Sequence, residues 1–165
     1  MWHQKGSHTV EFSIAGAAFF LLLFGALEVG RLFYTLHGLT EGTRRGARVA
    51  AVCGPIDQAA TTEKIQRIAA FGDPDDGSGR LIPTITPDKF VVTYLYENGN
   101  AVPNGKLLDD FELIRYVRVS VTNYNHQFII PGFSNSIQLA APSTTLPRES
   151  LGVPRDGVAA ECPYP

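Results

Sequence analysis

Gly6-Ser7-His8-Thr9-Val10-Glu11-Phe12, continued by Ser13-Ile14-Ala15-Gly16-Ala17-Ala18-Phe19-Phe20-Leu21-Leu22-Leu23-Phe24-Gly25-Ala26-Leu27, is the stretch that decides the architecture of this chain. Residues 12–27 carry no charged side chain, and Ser13 is their only polar one. A helix in a soluble core shows polar positions every third or fourth residue, and this run does not. It closes on Gly25-Ala26-Leu27-Glu28-Val29-Gly30, a poor match to the small-residue site of a cleaved secretory signal. Apolar character also resumes at Val29, Leu32, Phe33, Leu36 and Leu39. At 1.5 Å per residue the uncharged run spans roughly 24 Å, and adding Ser7–Glu11 and Val29 brings it to the ~30 Å of a bilayer core. A retained membrane anchor is therefore favoured over a cleaved signal or a buried helix. Glu11 stands at its edge, where a charge forced to the bilayer centre would cost about 2.5–3.5 kcal/mol. A carboxylate kept there is a functional candidate.

Length and charge bound the rest. The 165 residues (17.9 kDa) leave room for one domain of ordinary size beside the anchor. A net charge of −2 and a pI near 6.1 supply no basic field for nucleic acid. Lys5 and the amino terminus favour a cytoplasmic N-terminus, whereas the cluster Arg44, Arg45 and Arg48 weighs the other way. That cluster follows a segment that can stand clear of the bilayer as helix, which weakens the objection. Cys53 and Cys162 both follow the span, so an exported domain permits one disulfide between them; two unrelated buried thiols are the alternative.

No proline occurs before Pro55, so the helix is expected to continue to about Val52. Each glycine in its interior costs about 1 kcal/mol relative to alanine, yet Gly38, Gly42 and Gly46 recur every fourth residue, with Ala50 and Gly54 extending the row. A stripe of small residues admits close approach of another element. It can serve packing against this protein's own globular part or against neighbouring subunits, and both readings stay open. Glu28 and Arg31, three apart, can pair at the membrane face.

The remainder reads as a small α+β domain. Asp57 is positioned to cap a second helix with Ile65, Ile68 and Ala69 on one face and Gly72 at its end. Asp73-Pro74-Asp75-Asp76-Gly77-Ser78-Gly79 reads as a solvated turn. Its faint likeness to a calcium loop fails, because the glycine comes one place early and Thr84 stands where the bidentate glutamate belongs. Strands are expected at Lys89–Tyr96, at about Leu113–Asn123 and at Ser136 to about Ala141, with the turn Glu97-Asn98-Gly99-Asn100 after the first. In the second, Val117, Val119 and Val121 point one way and Tyr116, Arg118 and Ser120 the other. An antiparallel sheet of about three strands with helices on one face follows. The Pro- and Gly-rich tail from Pro147 reads as a loose arm unless Cys162 tethers it. The expected organisation is a leader at 1–6, the helix at 7–52, the globular domain at 53–146 and the tail at 147–165.

Enzyme chemistry finds no footing. His3, His8, His37 and His126 are scattered, and the chain has no H-E-x-x-H, no G-x-S-x-G and no phosphate-binding glycine loop. Asp109, Asp110 and Glu112 read as a surface acidic patch. No metal, cofactor or small-molecule substrate is expected. Phe90, Tyr94 and Tyr96 on the first strand suggest a binding face, though core packing explains them as well.

Gly6, four intervening residues and then Glu11 and Phe12, ahead of an apolar helix, resemble the processing motif of prepilins. Val10-Glu11-Phe12, Leu27-Glu28-Val29-Gly30-Arg31-Leu32-Phe33-Tyr34 and Glu41-Gly42-Thr43-Arg44-Arg45-Gly46-Ala47-Arg48-Val49-Ala50 together resemble the TadE-like family of minor pilins of the tight-adherence (type IVc) pilus. The likeness covers about residues 5–52. It implies a pilin-like fold and cleavage by a membrane peptidase between Gly6 and Ser7. Glu11 would then be the fifth residue of the mature chain and neutralise the new amino terminus of its own or a neighbouring subunit, setting register beside Phe12. Ser7-His8-Thr9 departs from the smaller, apolar residues expected there. The implied function is a minor pilin or pseudopilin, a subunit or assembly factor for an adhesive pilus. Its implied partners are other pilin subunits, Tad assembly components, the prepilin peptidase and inner-membrane lipid, with the C-terminal domain in the periplasm. The alternative is a membrane-anchored periplasmic binding module.

Overall fold

Without a proline to interrupt it, the N-terminal segment forms a single helix, α1, from Ser7 to Val52. A computed structural model describes residues 7–55, 58–72, 82, 84–129, 135–140, 142–149 and 151. The expectations resting on Gly6, Asp57, Asp73–Gly79 and Cys162 lie outside these residues.

The two halves of α1 face different surroundings. From Val10 to Leu27 the large apolar side chains are exposed, Phe12 at 79% and Leu22 at 71%. A Cβ added at Gly16, Gly25 or Gly30 would meet nothing within 4 Å. Ser13 settles its hydroxyl locally by donating to the Thr9 carbonyl at 2.8 Å, as a hydroxyl in an apolar setting must. From Thr35 onward a buried stripe takes over, running through Thr35, Leu39, Thr43, Ala47 and Ala50 to Cys53. Its spacing of three to four residues is one face of a 3.6-residue helix.

That stripe lies on the second helix and the sheet. α2 spans Gln58–Ala69, with Ile65 and Ala69 fully buried and Ile68 packed at the core's edge. Its end is a Schellman turn, in which the Phe71 N–H bonds the Ile68 carbonyl at 3.1 Å and the Gly72 N–H bonds Arg67 at 2.9 Å. The left-handed position is Phe71 (φ 59°), not the expected glycine, which follows it. Arg45 on α1 lies over the Phe71 ring, 4.9 Å from its centroid, so a cation–π contact offsets the strain.

Strands β1 (Phe90–Tyr96), β2 (Ile114–Val121) and β5 (Ser143–Pro147) form an antiparallel sheet in the order β1-β2-β5. Phe90 pairs with Val121, Val92 with Val119 and Tyr94 with Val117, which puts these apolar residues on one face against the helices. Arg118 and Ser120 take the other face, as the alternation requires. The fold is α+β. The turn after β1 is present, with Gly99 at φ 80°, and returns the chain for a single bridge between Ala101 and Leu95.

The third sheet strand is not where the sequence suggested. Residues 136–138 form β4, which pairs only with β3 (Asn125–Gln127) in a separate two-stranded sheet. The place beside β2 belongs to β5, where Val119 faces Thr144 and Val117 faces Leu146. β5 hides in the sequence because its inward positions alternate threonine with leucine. Thr144 turns inward because Thr43, fully buried on α1, meets its hydroxyl at 2.9 Å. Glu149 and Leu151 donate backbone N–H bonds to the Ala51 carbonyl near the end of α1, and Leu151 is buried there.

Candidate functional site

The residues singled out from the sequence lie along α1 and at its end, and they fall at three levels. At its start, Glu11 and Phe12 are exposed, and His8 Nδ1 lies 3.7 Å from the Glu11 carboxylate, one turn away. Ser7 is the first residue of the helix.

At the second level, just past Leu27, Glu28 turns toward the domain and is only 7% exposed. Arg31 Nη2 binds Glu28 Oε1 at 2.5 Å, the pair expected from their spacing. His126 Nε2, on β3 and 1% exposed, reaches the same oxygen at 3.1 Å. Arg31 also donates to the Gln127 carbonyl. The helical pair is therefore a cluster that fastens the β3–β4 hairpin to α1. Sequence reasoning left His126 unassigned, since nothing local links residues 98 positions apart.

At the third level lies the glycine row, and it is filled from within the molecule. An added Cβ would sit 2.3 Å from Ile82 at Gly38, 2.5 Å from the Ala69 carbonyl at Gly42, and 3.0 Å from Ala69 Cβ at Gly46. Gly42 also faces the Phe90 ring at 2.8 Å and Gly46 faces Val119 at 3.3 Å. Beyond the row, Gly54 admits the Leu151 carbonyl, which an added Cβ would strike at 1.8 Å. Cys53 is fully buried and disulfide-bonded.

The strand aromatics are accounted for by packing. Phe90 and Tyr94 belong to the core, and burial pushes the Tyr94 phenol well above its usual pKa. Tyr96 donates to Asp110, which raises its pKa too, while the Thr86 hydroxyl holds Asp88 below the usual carboxylate range. These shifts have separate local causes at separate places. Among the described residues no group of three or more His, Cys, Asp or Glu is arranged to hold a metal ion.

Residues 6–48 match the family model described as TadE-like protein. This N-terminal segment is TadE-like. The match starts at the expected cleavage glycine and runs along α1 to Arg48, taking in Glu11, Glu28, Arg31 and the Gly38, Gly42 and Gly46 row. No curated protein and no solved structure matches the chain. TadE-like proteins are associated with the Tad pilus, and the exposed apolar half of α1 is long enough to anchor the chain in a membrane.

Proposed function

We propose that this chain is a minor pilin or pseudopilin, a subunit or assembly factor for a Tad-type pilus used in surface adherence. The observation that carries the reading is the division of one unbroken helix. Its first half exposes apolar residues all round, and its second half is the spine of the α+β domain. A helix built this way can be stored in a bilayer and then transferred, apolar half first, into a bundle of like helices without refolding the domain.

In this reading the peptidase cuts between Gly6 and Ser7, and the new ammonium group meets Glu11. Neither charge is then buried alone, which matters because a charge stripped of its partner in an apolar bundle is strongly destabilising. His8 already lies near the Glu11 carboxylate and competes for it until the amino group appears. The α+β domain stands in the periplasm, and a disulfide between Cys53 and Cys162 would pin the tail to the end of α1. The binding-module alternative loses its support, since the aromatics that suggested it are core residues or pair with Asp110.

Mass spectrometry of the membrane-extracted full chain, co-expressed with a prepilin peptidase, tests the reading. A mature chain beginning at Ser7 is expected, and Gly6→Leu should block the cut. A chain that keeps Met1 with the active peptidase present excludes processing. Pili that assemble normally with Glu11→Gln would remove the ion-pair role.

A further inference from the structure

We infer that the β3–β4 hairpin is a second membrane contact, placing Phe128, Ile129 and Ile137 against the headgroup region of the bilayer that α1 crosses. The inference rests on α1 being the membrane anchor.

Two observations meet here. The first is level. His126 on β3 meets the Glu28 carboxylate at 3.1 Å, Arg31 donates to the neighbouring Gln127 carbonyl, and Glu28 follows Leu27 directly, so β3 lies at the mouth of the span, within about one helical turn of its last apolar residue. The second is chemistry. Ile129 is 69% exposed and Ile137, opposite His126 in the ladder, is 46% exposed; Phe128 is half-buried with its ring edge-on to His126. Between Arg118 and Arg148 the sequence holds no Asp, Glu, Lys or Arg.

A hairpin facing open water has no reason to combine exposed isoleucines with so long an uncharged sequence, whereas the bilayer interface penalises charge and accepts apolar and aromatic groups. The cluster beneath it fits the same setting. Glu28, Arg31 and His126 lie just past the Leu27 end of the apolar run, and they satisfy one another instead of leaving a bare charge beside lipid. Two attachments fix the domain's tilt relative to the membrane, where α1 alone would leave it free to rotate about the helix axis.

Tryptophan quenching by brominated lipid tests this in the full chain, reconstituted in phosphatidylethanolamine–phosphatidylglycerol vesicles. Trp2→Phe removes the only native tryptophan, and a single tryptophan is then introduced by Ile129→Trp or, should that variant not fold, by Ile137→Trp. Phe20→Trp reports the anchor and Val91→Trp, on the exposed side of β1, reports the domain. Bromine near the headgroups should quench position 129 or 137 and blue-shift its emission, bromine at the acyl ends should quench position 20, and position 91 should stay unquenched. Quenching at 20 without quenching at 129 and 137 overturns the hairpin contact and leaves the anchor standing. Absence of quenching at all positions defeats the anchor and the hairpin contact together. A blue shift at 129 without quenching, joined by cross-linking between chains, assigns the surface to a second copy and also overturns the contact.

Discussion

Gly42→Ala discriminates between the two uses of a small-residue stripe. In an isolated helix the change is favourable by about 0.8–1.0 kcal/mol, because alanine loses less backbone entropy. In this molecule the new Cβ would stand 2.5 Å from the Ala69 carbonyl oxygen and 2.8–2.9 Å from two atoms of the Phe90 ring, where ordinary contact begins at 3.4 Å. The carbonyl belongs to the last turn of α2, which is fixed by its Schellman bonds and by Arg45 over Phe71. Phe90 is fully buried beneath Gln66, whose amide donates to the Phe90 carbonyl at 2.7 Å. Neither neighbour can retreat cheaply, so α1 and α2 must part by roughly 1 Å. Overpacking of this kind costs about 1–3 kcal/mol or somewhat more, and after the propensity gain a net loss of roughly 1–2 kcal/mol remains. For a domain of this size that is about 2–8 °C in Tm. Thermal unfolding of the detergent-solubilised full chain, followed by near-ultraviolet circular dichroism, reads it. Gly30→Ala, with open space around it, is the control and should leave Tm equal or raised. A Gly42→Ala protein as stable as the parent, but defective in assembly, would show that the row serves neighbouring subunits and refute the intramolecular packing.

Three further outcomes are expected. His126→Ala removes one partner of the Glu28 carboxylate and should cost the hairpin about 1–3 kcal/mol, seen as tenfold or faster hydrogen exchange at residues 125–129 with α2 unchanged; equal acceleration in α2 would mean the cluster supports the whole core. Peptide mapping under non-reducing conditions should recover Cys53 linked to Cys162. Closing a loop of about 110 residues is worth roughly 4–5 kcal/mol, so reduction should lower Tm by about 10 °C or more, and an unaffected Tm would refute that role. Phe71→Gly relieves the left-handed strain but loses the Arg45 contact, so stability should change by less than about 1 kcal/mol, while Phe71→Ala keeps the strain and should fall about 1 kcal/mol below it; urea denaturation ranks the two, and the reverse order would refute the account.

The sequence by itself determined whatever is local and periodic. The uncharged run at 12–27, the absence of proline before Pro55 and the alternation of Val117, Val119 and Val121 fix α1, its apolar half and β2, because each depends only on a residue and its near neighbours. The Glu28–Arg31 pair and the TadE-like segment were legible for the same reason. Tertiary structure alone decided the rest. A stripe of glycines specifies close approach but not what approaches, and only the fold shows Ile82, Ala69, Phe90 and Val119 filling it. β5 displaced the expected third strand because a buried Thr43–Thr144 contact makes threonine an inward residue, which no pattern of hydrophobicity reveals. The Glu28–His126 contact joins residues 98 apart, and its physical basis is the path of β3 along the helix rather than any property of either residue's neighbours.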